Sequence, residues 1–140
     1  STTRDIETED TGVLNVKWRN GALGSMSVTM LTYPKNLEGS ITILGENGTA
    51  KVGGVAVNEM KAWEFSDARD YDQEVLKADY VSETVYGQGH HAYYERVIDV
   101  LRGKCEPDTD GRDGLKSLEL LIAAYISARD NKQVGLPLIY

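Results

Sequence analysis

The sequence predicts an α+β fold, in which a mostly antiparallel sheet carries helices on one face and leaves the other face open for oligomer contact. Two observations carry this expectation. Apolar and polar residues alternate at period two in separate short runs between Val13 and Phe65, and a helical period takes over from His90. The strands are gathered first and the helices last, which is the order of a segregated α+β domain rather than of repeating βαβ units. At 140 residues and 41% hydrophobic content, the chain is expected to form one domain around one core.

Each element has its own signal. In VLNVKWR, Leu14, Val16 and Trp18 share one face while Asn15, Lys17 and Arg19 share the other, so Val13 to Arg19 reads as a half-buried strand. Asn20 and Gly21 are expected to supply the two left-handed residues of a type I′ turn. Ala22 to Tyr33 then continues as a strand with Met26, Val28, Met30 and Thr32 on alternate positions. A second hairpin is expected where Ile41 and Ile43 precede a Gly45 to Gly48 turn and Ala50 and Val52 follow it. The short runs VAVN (55–58) and KAWEF (61–65) extend this meander. SDARDYDQEVLKADY (66–80) is polar and aperiodic, and reads as a loop or peripheral excursion. YVSETVY (80–86) has the β-branched and aromatic content of a strand.

The first long helix, from His90, places Tyr94, Val97, Ile98 and Leu101 on one face and Glu95, Asp99 and Arg102 opposite, and Gly103 stops it. The second starts at Asp110, a capping residue with Asp113 three positions on, and carries a wide apolar stripe of Leu115, Leu118, Ile122, Tyr125 and Ile126. The tail QVGLPLIY reads as a last extended segment, with Pro137 favouring a sheet edge. Five or six strands covered by two helices leave apolar residues on the open sheet face, which points to an oligomer or a partner domain. A merely polar second face is the competing reading.

Charge and composition exclude several classes of function. Lys and Arg total 15 against 22 Asp and Glu, a net charge of -7, and no basic cluster stands out, so nucleic acid is not expected as a partner. The longest apolar run, Leu120 to Ile126, is far short of the roughly 20 residues that span a bilayer. No basic-then-apolar signal opens the sequence, and a chain not bound to membrane is expected. The lone Cys105 has no partner for a disulfide and no Cys or His at metal-ligand spacing, which suits a reducing, cytoplasmic setting.

One stretch imitates a cofactor loop. Gly87, Gly89 and Ala92 spell G-x-G-x-x-A before a helix, the pattern that cradles a dinucleotide pyrophosphate. Such a fingerprint requires a second parallel strand after the helix, carrying an acidic residue about 20 positions on. KCEPDTDGRDG, after Gly103, has no apolar run and leads into another helix, so no βαβ unit forms and no cofactor-binding residue is assigned.

His90 and His91 cannot clamp one metal ion as an i, i+4 pair would, because successive helix positions diverge by about 100°. No metal site is expected. His90 aligns with Tyr94, Val97 and Leu101, which predicts a partly buried ring at the mouth of the apolar face. Two readings then stand: a hydrogen-bonded histidine at the edge of the core, or a polar group at a rigid helix start that meets a ligand oxygen or an anion. No Ser, Cys or paired carboxylate has a legible catalytic context.

From His90 onward the sequence resembles the C-terminal end of the glucose-fructose oxidoreductase, inositol dehydrogenase and MocA family of dinucleotide-dependent sugar dehydrogenases. The resemblance rests on the His-led helix at His90, Gly103, the Asp110 to Gly114 helix start, Tyr125 to Ala128, and Val134, Leu136 and Pro137 in the tail. EDTGVLNVKWRNGALGSM and GSITILGENGTAKV resemble the family's earlier strands, so nearly the whole chain is covered.

The resemblance implies a hydride transfer between a sugar carbon and NAD or NADP in the intact enzyme. It also implies an N-terminal Rossmann domain with a Glu-Lys-Pro motif, and an Asp-x-x-x-His motif after it. Neither motif occurs here, so the chain is expected to be an excised C-terminal substrate and oligomerisation domain (1–140), inactive alone, with no catalytic residue and no cofactor of its own. It would supply the sheet, one side of the sugar pocket and a homo-oligomer interface on the open sheet face. Similar members act on UDP-linked amino-sugar uronates in bacterial surface-polysaccharide synthesis, which implies a sugar or sugar-nucleotide substrate. His90 and His91, with Tyr94 as neighbour, are the expected substrate-binding residues. Arg19 and Lys35 are set aside as too exposed. Two other classes stay open: a stand-alone oligomerisation module, and a carbohydrate-binding module using Trp18, Trp63 and the eight tyrosines.

Overall fold

The computed structural model describes residues 5–82 and 84–139. In chain order the elements are β1 (Thr11–Lys17), β2 (Leu23–Thr29), β3 (Ile41–Gly45), β4 (Gly48–Gly53), β5 (Glu59–Phe65), α1 (Asp72–Val75), α2 (Gly89–Leu101) and α3 (Gly111–Asp130). All strand pairs are antiparallel, and the chain has an α+β fold. The strands form a two-stranded sheet, β1-β2, and a three-stranded sheet, β3-β4-β5, rather than one sheet of five or six. The chain divides into two compact units, one built from residues up to Thr29 with Arg96 onward, the other from Met30–Glu95.

In the first unit, Thr11 faces Thr29 and Lys17 faces Leu23 across the β1-β2 hairpin. The alternation expected for β1 holds at Leu14 and Val16, half-buried with Gly12 between exposed neighbours, but the strand ends at Lys17, and Trp18, expected on the same face, is exposed. The turn is not type I′. Only Gly21 is left-handed (φ 92°), and the bonds Gly21 N–H to Trp18 O (3.0 Å) and Trp18 N–H to Ala22 O (2.9 Å) enclose a three-residue loop. Asn20 contributes its side chain instead, its Oδ1 accepting from Ala22 N–H at 3.1 Å. Trp18 lays its ring across Gly24, where a Cβ would come within 2.6 Å of the indole. β2 ends at Thr29, so Met30 and Thr32 lie beyond it.

α3 is closed at both ends. Asp110 accepts from Arg112 N–H and Asp113 N–H while Asp113 returns a bond to Asp110 N–H, the reciprocal box expected there. Asn131 ends the helix in the left-handed conformation (φ 50°), its N–H on Ser127 O. The buried face differs from the expected stripe. It centres on Ala123, flanked by half-buried Leu120, Ile122, Ala124, Ile126 and Ser127, whereas Leu115, Leu118 and Tyr125 are exposed. The half-buried face of α3 therefore turns away from Leu115, Leu118 and Tyr125 and runs along Ala123 and Ser127. The tail is not a strand: side chains take its backbone groups, Arg19 donating to Leu136 O (3.0 Å) and Glu119 accepting from Leu138 N–H (2.6 Å). Tyr140 lies outside the described residues.

In the second unit, Glu46 and Asn47 turn β3 into β4, and a bulge between Lys51 and Val52 offsets β4 against β5. Gly48 is wedged against Phe65, with room for no Cβ. VAVN is a turn rather than a strand, because Gly54 (φ 92°) ends β4 and Asn58 Oδ1 takes Ala56 N–H at 3.1 Å. β5 closes an aromatic cluster: Trp63 meets Phe65 edge-on at 4.8 Å and Tyr71 at 6.5 Å, and the Arg69 guanidinium lies 4.0 Å over Phe65. The polar excursion after Phe65 contains the short helix α1.

YVSETVY is not a strand among its described residues; Glu83 lies outside them. Tyr80 spends its backbone on Asn58 instead, N–H to Asn58 O at 3.2 Å and its carbonyl accepting from Asn58 Nδ2.

Candidate functional site

The expected substrate residues sit at the start of α2. Asn58, only 8% exposed, clamps both backbone groups of Tyr80. The Tyr80 hydroxyl in turn accepts from Gln88 N–H at 3.3 Å. Gly87 makes the turn between them with a left-handed backbone (φ 59°) and with the Tyr80 hydroxyl where a Cβ would stand. Gln88 O then receives His91 N–H at 3.3 Å, and the helix begins. Asn58 and Tyr80 were not signalled by the sequence, since neither belongs to a motif and their pairing spans 22 residues.

His90 points toward Tyr86, with ring centroids 6.0 Å apart, and Tyr94 stands one turn further on the same side. Tyr93 packs edge-on against Tyr94 at 5.7 Å. His91 faces away and meets Glu95 at 3.3 Å, both side chains largely in solvent. The structure thus brings His90 and Tyr94 together and separates His91 from them, as the 100° step requires. The expectation of a partly buried His90 does not hold. His90 is exposed and Tyr94 is 63% exposed, because the half-buried side of α2 runs through Val97, Asp99 and Val100, leaving Tyr94, Ile98 and Leu101 outside.

Chemically, this helix start offers a strip of flat rings with polar edges, Tyr86, His90 and Tyr94, beside first-turn N–H groups with no acidic residue among them. Rings of this kind stack on a base or sugar face, and free helix N–H groups receive anionic oxygens. No group of His, Cys, Asp or Glu able to hold a metal ion occurs among the described residues, and none of their helices is long and apolar enough to cross a membrane. The Gly87–Ala92 stretch does not fit a dinucleotide pyrophosphate: the described residues before it form no strand, and α3 follows after an irregular segment.

A concavity of about 990 Å³ lies in the first unit, lined by Leu14, Val16 and Trp18 of the hairpin region, Leu120 and Ala123 of α3, and Pro137 of the tail. Arg19 borders it but is committed to the Leu136 carbonyl.

The family model for the oxidoreductase family, C-terminal alpha/beta domain, of the Gfo/Idh/MocA group, matches residues 2–136. The chain belongs to this family. Two solved structures are similar to this Gfo/Idh/MocA domain over nearly its whole length. The WlbA dehydrogenase from Chromobacterium violaceum, in complex with NADH and UDP-GlcNAcA, is 61% identical over 100% of the chain, with a TM-score of 0.86. The WlbA dehydrogenase from Bordetella pertussis, also with NADH and UDP-GlcNAcA, is 58% identical over 98% of the chain, with a TM-score of 0.90. The chain spans 39% and 40% of the length of these two proteins. No curated protein sequence matches it.

Proposed function

We propose that this chain is the substrate-side portion of an NAD-dependent dehydrogenase that oxidises a UDP-linked uronate sugar. The observation that carries the proposal is the identity of about three residues in five with two WlbA dehydrogenases that hold NADH and UDP-GlcNAcA. Because the chain corresponds to two fifths of those proteins, the dinucleotide and the proton-transferring residues belong, on this reading, to polypeptide outside it.

Within the chain, the start of α2 is the substrate-binding element. His90 and Tyr94 supply ring faces and polar edges, the first-turn N–H groups other than that of His91 receive anionic oxygens, and His91 meets the substrate from the adjoining helix face, where it lies beside Glu95. Apolar side chains left in solvent on the sheets, Val13 and Leu23 in one and Ile41 and Ile43 in the other, provide for homo-oligomer contact. The reading carries with it a cytoplasmic enzyme of bacterial surface-polysaccharide synthesis.

The test compares the isolated chain with a longer protein that includes it. The isolated chain is expected to give no NADH fluorescence enhancement and no turnover, whereas the longer protein binds NADH and UDP-GlcNAcA. NADH binding by the isolated chain overturns the division of labour. The half-exposed Trp18 beside the concavity favours, as a second reading, a carbohydrate-binding module, and affinity of the isolated chain for free sugar decides for it.

A further inference from the structure

Two Asn-Gly pairs, Asn20-Gly21 and Asn47-Gly48, occupy the hairpin turns of the two sheets, and both asparagines are exposed. Asn-Gly is the pair most prone to intramolecular attack of the following amide nitrogen on the asparagine side chain, since glycine puts no side chain in the way. The geometry points to Asn20 as a site of spontaneous deamidation, and to Asn47 as protected.

In this step Gly21 N loses its proton and forms a bond to Asn20 Cγ, the Cγ–NH2 bond breaks, and ammonia leaves with the proton. Water then opens the five-membered imide. Cleavage of the bond from nitrogen to Cγ gives aspartate, and cleavage of the bond from nitrogen to the main-chain carbonyl carbon gives isoaspartate. Water is the only co-reactant and no oxidant is needed.

Two features separate the sites. At Asn20, the side-chain carbonyl oxygen already accepts Ala22 N–H at 3.1 Å, a donor aimed at the oxygen on which negative charge develops as nitrogen attacks. Gly21 stands in open space, with nothing within 4 Å of a Cβ position, so the ring can form without displacing a neighbour. At Asn47, Gly48 is wedged between Phe65 and the Glu64 carbonyl, and Asn47 O is held by Ser66 N–H at 2.9 Å. The main chain cannot rotate there without breaking the β4-β5 edge. Tying of the nucleophile does not distinguish the sites: Gly21 N–H bonds Trp18 O, and Gly48 is paired opposite Gly45.

The experiment incubates the folded chain at mildly alkaline pH in heavy-oxygen water and maps peptides by mass spectrometry, alongside the same chain in urea. Expected are heavy-oxygen aspartate and isoaspartate at Asn20, formed about tenfold faster than at Asn47, and comparable rates at both sites in urea. Asn20→Ser abolishes the signal at that position and leaves Asn47 unchanged. Equal or faster reaction at Asn47 in the folded chain, an Asn20 that stays intact while the unfolded chain reacts, or aspartate without isoaspartate each overturns the proposal.

Discussion

The indole Nε1 of Trp63 donates to Asp72 Oδ1 at 2.7 Å, tying the third strand of the second sheet to the first residue of α1. The other oxygen of the same carboxylate accepts Arg69 N–H at 2.8 Å. One carboxylate therefore holds together the strand, the loop and the short helix, and keeps Arg69 over Phe65.

These bonds hold Asp72 below the usual carboxylate range, the Trp63 bond being the larger cause. Asp113, bonded by Lys116 and by Asp110 N–H, and Asp130, bonded by Arg129 and Lys132, are lowered too. A folded-state value below the unfolded one contributes stability above the ordinary carboxylate pKa of about 4, lost as pH falls toward the folded value. Urea midpoints are expected to hold steady down to pH 5 and then decline. Asp72→Asn flattens that decline, which urea titrations of the variant and parent at matched pH will check.

Asp110→Ala removes the acceptor for two N–H groups at the start of α3 and is expected to cost about 1 kcal/mol. Chemical denaturation measures it. Arg112→Ala, which removes only an exposed partner of Asp110, is expected to leave stability within about 0.5 kcal/mol of the parent.

Two glycine substitutions should move stability in opposite directions. Gly48→Ala places a methyl inside Phe65 and 2.5 Å from Glu64 O, and is expected to destabilise by about 1–3 kcal/mol. Gly114→Ala, in α3 with nothing within 4 Å, is expected to stabilise by about 0.5–1 kcal/mol. Thermal melts of the two variants give the comparison.

In the longer protein, His90→Ala is expected to raise KM for the sugar nucleotide about tenfold while the NADH Kd stays unchanged. Steady-state kinetics with an NADH titration reads both. Equal loss of NADH affinity would mean that the α2 start does not serve the sugar.

Ile43→Glu puts a charge into the apolar strip on β3. If the proposed homo-oligomer forms through this strip, the variant is expected to sediment as a smaller species than the parent, read by sedimentation velocity at several concentrations.

The elements read most reliably from the sequence were those specified by local chemistry. β1 follows its own alternation, α3 its own capping box, and KAWEF its aromatic and β-compatible pattern. The misread segments are those whose backbone partners come from elsewhere. Tyr80 is claimed by Asn58, and Leu136 and Leu138 by Arg19 and Glu119, so β-like composition did not become strand. The helix faces differ for another reason: hydrophobic periodicity marks where apolar side chains lie, not which of them are covered, and in α3 Ala123 and Ser127 are covered while Leu115 and Leu118 are not. At the site, the residue types at His90 and Tyr94 were visible, but their exposure and the Asn58–Tyr80 support were not.

The indole of Trp18 resting on Gly24 makes the two positions a single unit of inheritance. A side chain at 24 evicts the ring, and a small residue at 18 uncovers the bare backbone of β2. Variants of this hairpin should therefore change both residues together or neither. In a randomised library, survivors should divide into those pairing glycine at 24 with a large flat residue at 18 and those pairing a branched residue at 24 with a short one at 18.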